Sequence, residues 1–157
     1  MDDLSPFAPL MEAKVSPEAR LTALQKVECV RRAEILSEVV VEQLFQLAML
    51  AREAGFARGQ IIFSAGEPAD AFYVIVEGEV ELSSADGGLR EVLGSGRSFG
   101  LYAVLAREPR RVSATARQAT LAIAIEAEDF NSLLSDNTEI FAGVLRYFAQ
   151  KCLRLYD

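Results

Sequence analysis

The sequence predicts a mainly β fold with flanking helices, and three observations carry that expectation. Short alternating apolar runs punctuated by glycine occupy only the middle of the chain, residues 56–126. Apolar residues at helical spacing occupy both flanks. The 157 residues, 51% hydrophobic and 25% charged, suit one globular domain with a substantial core. The order is therefore helix, compact β-roll, helix. It divides into a flexible leader at 1–15, an N-terminal helical element at 16–55, the β-roll at 56–126 and C-terminal helices at 127–157, one domain overall.

Each element has a local reason. Residues 1–15 have little periodicity and contain Pro6 and Pro9. Ser16-Pro17-Glu18 has the form of a helix start, with a capping serine, proline at the first helical position and an acid in the first turn. Leu21, Leu24, Val27 and Val30 then supply a narrow apolar face. A second helix is expected over 40–53, with Val40, Leu44, Leu47 and Ala51 on one face and Gly55 as its stop. Candidate strands are 60–64, 71–76, 79–84, 89–93, 112–117 and 120–126. In the last of these Leu121, Ile123 and Ile125 alternate with Ala122 and Ala124. Asp86-Gly87-Gly88 between two strands is a hairpin turn. A short helix follows over 128–134, then capping residues Asp136-Asn137-Thr138-Glu139 and a longer helix over 140–155.

Composition excludes several functions. A net charge of −7 argues against general affinity for nucleic-acid backbones, which rests on lysine and arginine neutralising phosphates. The absence of histidine removes a serine–histidine triad, a histidine base and the common histidine metal sites. Cys29 and Cys152 have no metal-ligand spacing and indicate no disulfide framework. The first residues lack the pattern of a secretory signal, and the longest apolar stretch is too short to cross a bilayer, so a cytoplasmic, non-membrane protein is expected. Glu67, Asp70, Glu77 and Glu79 read as turn and strand positions rather than as a metal or acid/base site.

Gly59-Gln-Ile-Ile-Phe63, Gly66-Glu67-Pro68-Ala69-Asp70, Phe72 through Val80, Phe99-Gly100, Pro109-Arg110 and Ser113 occur in one order. That series resembles the cyclic-nucleotide-binding domain family, of the catabolite-activator and protein-kinase-A-regulatory-subunit type, over about residues 35–155. The resemblance implies an eight-stranded jelly roll (double-stranded β-helix). It also implies a ligand site at Phe99, Gly100, Leu101, Tyr102, Ala103, Arg110, Arg111 and Ser113. In the family a short helix follows Phe-Gly and meets the cyclic phosphate, which 101–105 would match. The phosphate-pairing arginine matches Arg110, and Ser113 matches a hydroxyl donor. Arg111 could support a more anionic ligand, although strand alternation would aim it away from Arg110. The departure is Leu101, which stands where the family has a glutamate accepting the ribose 2′-hydroxyl. Leucine accepts no hydrogen bond, at a cost of about 1–3 kcal/mol to a buried hydroxyl.

The expectation is a non-enzymatic regulatory module without catalytic residues, metal or cofactor. It senses cAMP, cGMP or another small anion weakly or with altered specificity, and signals through its C-terminal helices. The alternative is a structural or interaction module whose pocket Leu101 and Tyr102 have filled. Phe141, Leu145, Phe148, Cys152 and Leu155 recur at four-then-three spacing. That stripe leaves open packing on the roll, closure over a ligand, and contact with a second copy or a partner protein; packing is the simplest expectation, with Cys152 as a small core residue. A transcription factor is disfavoured because the chain ends at Asp157, leaving no room for a helix-turn-helix. Cupins share the architecture, but their metal sites use histidine.

Overall fold

A computed structural model of the chain describes residues 21–156. The helix start expected at Ser16 and the expected leader lie outside the described residues. Helix α1 (Ala23–Arg32) opens on Thr22. The Thr22 hydroxyl accepts from the Gln25 N–H, and the Gln25 side chain accepts from the Thr22 N–H, so two orphan donors are satisfied reciprocally. Val27 and Val30 are buried as expected, but Leu24 is 73% exposed. A three-residue spacing slips about 60° per step around a 3.6-residue helix, so the run cannot stay on one face.

A short 3₁₀ turn (Glu34–Leu36) buries Ile35 and Leu36 and leads to α2 (Val41–Leu50). There the structure corrects the expected helix over 40–53. Leu44, Leu47 and Ala51 are buried, whereas Val40 caps the helix and is exposed. The chain leaves the helix at Ala51 and enters β1 (Arg52–Phe56), in which Gly55 pairs with Leu121 rather than stopping a helix. Its Arg-Glu-Ala-Gly-Phe sequence has no alternation to announce a strand. Pairing with a neighbour that needs an antiparallel partner overrides the local pattern.

The other strands are β2 (Ile61–Phe63), β3 (Ala71–Glu77), β4 (Val80–Ser84), β5 (Arg90–Leu93), β6 (Ser98–Phe99), β7 (Val112–Ala116) and β8 (Thr120–Glu126). Six of the eight strands match the expected runs to within one residue at each end; β1 and the two-residue β6 were not expected. Two antiparallel sheets result, ordered β1-β8-β3-β6 and β2-β7-β4-β5. This is the jelly roll. Gly78 turns β3 into β4 at φ 118°, and a Cβ there would stand 2.4 Å from the Thr120 Oγ1, so only glycine fits.

Two apolar clusters fill the molecule. On the helix-facing side, Phe72, Val74 and Val76 of β3 and Leu121, Ile123 and Ile125 of β8 pack with Val30, Leu44, Leu47 and Phe130. The Phe72 and Phe130 rings meet edge-on at 4.8 Å. The interior of the roll is built from Phe63, Ile75, Val80, Leu93, Phe99 and Ala114. β8 is thus buried on both faces, its branched residues in the helix-facing cluster.

After β6 comes α3 (Leu101–Ala106), and after β8 come α4 (Ala127–Asp136) and α5 (Thr138–Leu153). Asn137 caps α5 by accepting from the Ile140 N–H at 3.1 Å. α5 docks through Ile140, Gly143, Val144 and Tyr147. The stripe expected to pack on the roll does not do so: Phe141, Leu145, Cys152 and Leu155 are exposed and Phe148 is half-buried. The physical reason lies at Gly143, where a Cβ would come within 2.8 Å of the Val39 side chain and 3.0 Å of the Glu38 carbonyl oxygen. The missing side chain lets the turn approach the helix there, and this fixes the docking face. Cys152 is therefore exposed rather than a core residue. Cys29 is the buried cysteine, its thiol pushed up to about 12 by burial.

Candidate functional site

A cavity of about 610 Å³ opens at the β6–α3 end of the roll, between the second sheet and α5. It lies within the size range of small-molecule sites. Phe99, Gly100, Leu101, Tyr102, Ala103, Arg110 and Arg111 all line it, so the structure brings together seven of the eight residues singled out in the sequence. Ser113 is absent from its walls. Its hydroxyl accepts from the Ala65 N–H at 3.0 Å and ties β7 to the β2–β3 loop.

Arg110 sits at the centre of the arrangement. It stands two residues before β7, and its side chain is 1% exposed. Its Nη1 donates to the Gly100 carbonyl at 2.7 Å and its Nη2 to the Ala71 carbonyl at 2.5 Å. The guanidinium lies 3.9 Å from the centre of the Phe63 ring, and Nη2 is 3.6 Å from an Asp70 carboxylate oxygen. Burial lowers its proton affinity, a tendency opposed by Tyr73 and Asp70. The Nε–H has no partner and is the only buried side-chain polar group so left among the described residues. A buried charged donor without an acceptor is costly. An anion would satisfy it.

Gly100 makes this placement possible. It has φ 88°, and a Cβ there would stand 2.9 Å from the Arg110 Nη1. The glycine thus gives α3 its left-handed entry and leaves the arginine room to reach the Gly100 carbonyl.

Leu101 and Tyr102 do not fill the cavity. Leu101 is 3% exposed and joins the helix-facing cluster while closing one wall. Tyr102 turns outward to α5, where its ring lies 5.6 Å from that of Phe148 and its hydroxyl accepts from the Lys151 Nζ at 2.5 Å. That bond raises the proton affinity of Lys151. Arg111 is exposed and pairs with Glu108 at 2.7 Å, so the two adjacent arginines do part company. At the mouth Arg97 bonds Glu34 at 3.0 Å.

Several of these residues escaped sequence reasoning. Phe63, Asp70 and Ala71 lie in the turn and strand segments that carried the resemblance, so a signal was present, but their convergence on Arg110 depends on the fold. Tyr147 and Lys151 carried none. Among the described residues no cluster of acids and cysteines is arranged to hold a metal, and no helix is long and apolar enough to cross a membrane.

The model of the cyclic nucleotide-binding domain matches residues 53–137, which contain every strand but the first residue of β1 and the whole cavity floor around Arg110. The chain is 29% identical over 131 residues to a CRP-like cAMP-activated global transcriptional regulator of Mycobacterium tuberculosis, covering 81% of this chain and 58% of the regulator. It is 29% identical over 97 residues to a cyclic nucleotide-gated potassium channel of Mesorhizobium japonicum, covering 62% of this chain and 26% of the channel. Among solved structures, the N-terminal domain of a transcriptional regulator from Streptomyces coelicolor superposes with a TM-score of 0.70 at 27% identity, covering 81% of this chain and 94% of that one. The chain thus spans about a quarter to somewhat over half the length of these two full-length relatives. With the jelly roll, the ordered glycine turns and the arginine-floored cavity in place, the chain belongs to the cyclic nucleotide-binding domain family.

Proposed function

We propose that this chain is a non-enzymatic sensor module that takes a small anion, a cyclic nucleotide or a relative of one, against Arg110 and reports its presence through α5. The observation that carries this reading is Arg110, which lines an open cavity and keeps a buried Nε–H without a partner. The open cavity also favours a binding module over one with a filled pocket. The names of the relatives, a cAMP-activated regulator and a cyclic nucleotide-gated channel, support the ligand class.

Signalling has a physical route. Tyr102 on α3 touches Phe148 and Lys151 on α5, so a ligand that shifts α3 changes the support under the final helix. The uncovered apolar stripe of Phe141, Leu145 and Cys152 is then the surface through which a second copy or a partner protein would read that placement. Direct nucleic-acid binding is no part of the proposal, because the chain is acidic. A cytoplasmic setting fits a ligand of this kind.

Calorimetric titration with cAMP and cGMP tests the proposal. Saturable binding that Arg110→Ala weakens by about 1.5–3 kcal/mol, the range for a hydrogen bond to a charged group, is the expected result. Equal affinity in the folded variant sinks the assignment of Arg110.

A further inference from the structure

We infer that the cavity selects an aromatic monocarboxylate over a ribose-bearing cyclic nucleotide; this rests on the anion-sensor reading above and sharpens its ligand class. The cavity's volume of about 610 Å³ admits either ligand, so its polar groups decide between them. A ribose needs an acceptor for each buried hydroxyl. At the start of α3 stands Leu101, buried and without an acceptor. Each carboxylate on the cavity wall already faces an arginine: Glu108 pairs with Arg111 at 2.7 Å, and Glu34 and Glu91 share Arg97 at 3.0 and 3.9 Å. Leaving one buried hydroxyl unpaired loses roughly ten- to a hundred-fold in affinity.

Apart from the hydroxyls of Ser98, Tyr102 and Tyr147, the rest of the wall is largely apolar and rich in flat surface. Phe63, Leu82, Leu93, Phe99, Leu101 and Val112 supply it. The Phe63 and Phe99 rings lie 6.0 Å apart, each beside Tyr73. Such a wall accepts an aryl ring by offset or edge contact. The ionic groups of the wall other than Arg110 number three acids (Glu34, Glu91, Glu108) and three bases (Arg97, Arg111, Lys151), so they balance. The one cation left is Arg110, half-countered by the exposed Asp70 at 3.6 Å. Two of its five N–H groups are spent on the Gly100 and Ala71 carbonyls, and its Nε–H is unspent. A single carboxylate matches that residual charge and suits the fork of N–H groups that the guanidinium leaves unspent.

The test uses the full chain with benzoate and 2-naphthoate, their neutral amides benzamide and 2-naphthamide, and cAMP, by calorimetry. Thermal melts and circular dichroism confirm that each variant folds. The expected result is 2-naphthoate binding at least tenfold more tightly than cAMP and than 2-naphthamide, with Arg110→Gln losing at least tenfold for the carboxylate and nothing for the amide. Because Arg110→Gln could unfold a chain that uses this arginine to hold Gly100 and Ala71, Arg110→Lys serves as the second variant; it keeps the charge but not the fork, and an intermediate loss is expected. If cAMP binds more tightly than either carboxylate, the selectivity inference fails while the sensor proposal stands. If amide and carboxylate bind equally, Arg110 is not the anchor and both fail. If neither carboxylate binds to the folded chain, this inference is overturned, and the cAMP titration alone decides the sensor proposal.

Discussion

β3 has two faces that serve different ends. Its helix-facing residues Phe72, Val74 and Val76 are 0–1% exposed and pack into the cluster that also holds α1, α2, α4 and α5. Its other face carries Ile75 and the half-buried Tyr73, which join the smaller cluster inside the roll. β8 repeats the division, with Leu121, Ile123 and Ile125 toward the helices and alanines between them. The first face is filled by large side chains and holds the helices. The second is filled less completely, and the cavity opens at its β6–α3 end.

The largest effect that tests this contrast is Phe130→Ala. Phe130 is fully buried against Phe72, and its loss should cost about 3–5 kcal/mol in urea denaturation. A loss below about 1 kcal/mol would mean that the helix-facing cluster is not what holds the domain together.

Leu101→Glu probes the boundary between the regions, since Leu101 belongs to the helix-facing cluster and also walls the cavity. A carboxyl buried there costs about 1–3 kcal/mol if it remains unpaired. Its folded-state pKa rises above the unfolded value of about 4.3, so the variant should be least impaired below that pH and lose stability as pH rises through the folded pKa. Undiminished stability at neutral pH together with tighter cAMP binding would place this side chain on the cavity side alone.

Gly100→Ala should cost about 1–2 kcal/mol for a left-handed non-glycine residue. It should also displace Arg110, whose Nη1 would stand 2.9 Å from the new Cβ. Anion affinity should therefore fall further than stability does, and a variant that binds as before would separate Gly100 from the placement of Arg110.

The smallest effect leaves the fold untouched. A thiol reagent at neutral pH should modify the exposed Cys152 and spare Cys29, which is buried and holds its proton to about 12. Modification of both thiols in the native state would show that α1 does not seal the helix-facing cluster.

Alternation and glycine turns made six strands legible because they are local: a two-residue period and a positive φ leave their mark in neighbouring residues. β1 and β6 left none, being short strands whose pairing is supplied by β8 and β3. Seven of the eight residues expected at the ligand site line the cavity, and the ordered series around Phe99-Gly100 and Pro109-Arg110 had marked them. Their chemistry was not, since the Ala71 carbonyl and the Phe63 ring reach Arg110 across 39 and 47 positions of chain.

By itself the sequence determined the alternating roll, the glycine at each sharp turn, the excess of acid over base, the lack of histidine and the leucine that follows Phe99-Gly100. Only the tertiary structure decided that Arg110 is buried while Arg111 is solvated, and that Leu101 and Tyr102 leave the cavity open. It also decided that α5 turns Ile140 and Val144 inward and leaves Phe141 and Leu145 uncovered. The reason is common to all of these: a side chain's period places it on a face, but which face is buried depends on what distant chain lies against it. At Gly143 that choice comes down to a missing methyl group, which admits Val39 on one side of the helix and fixes the other side toward solvent.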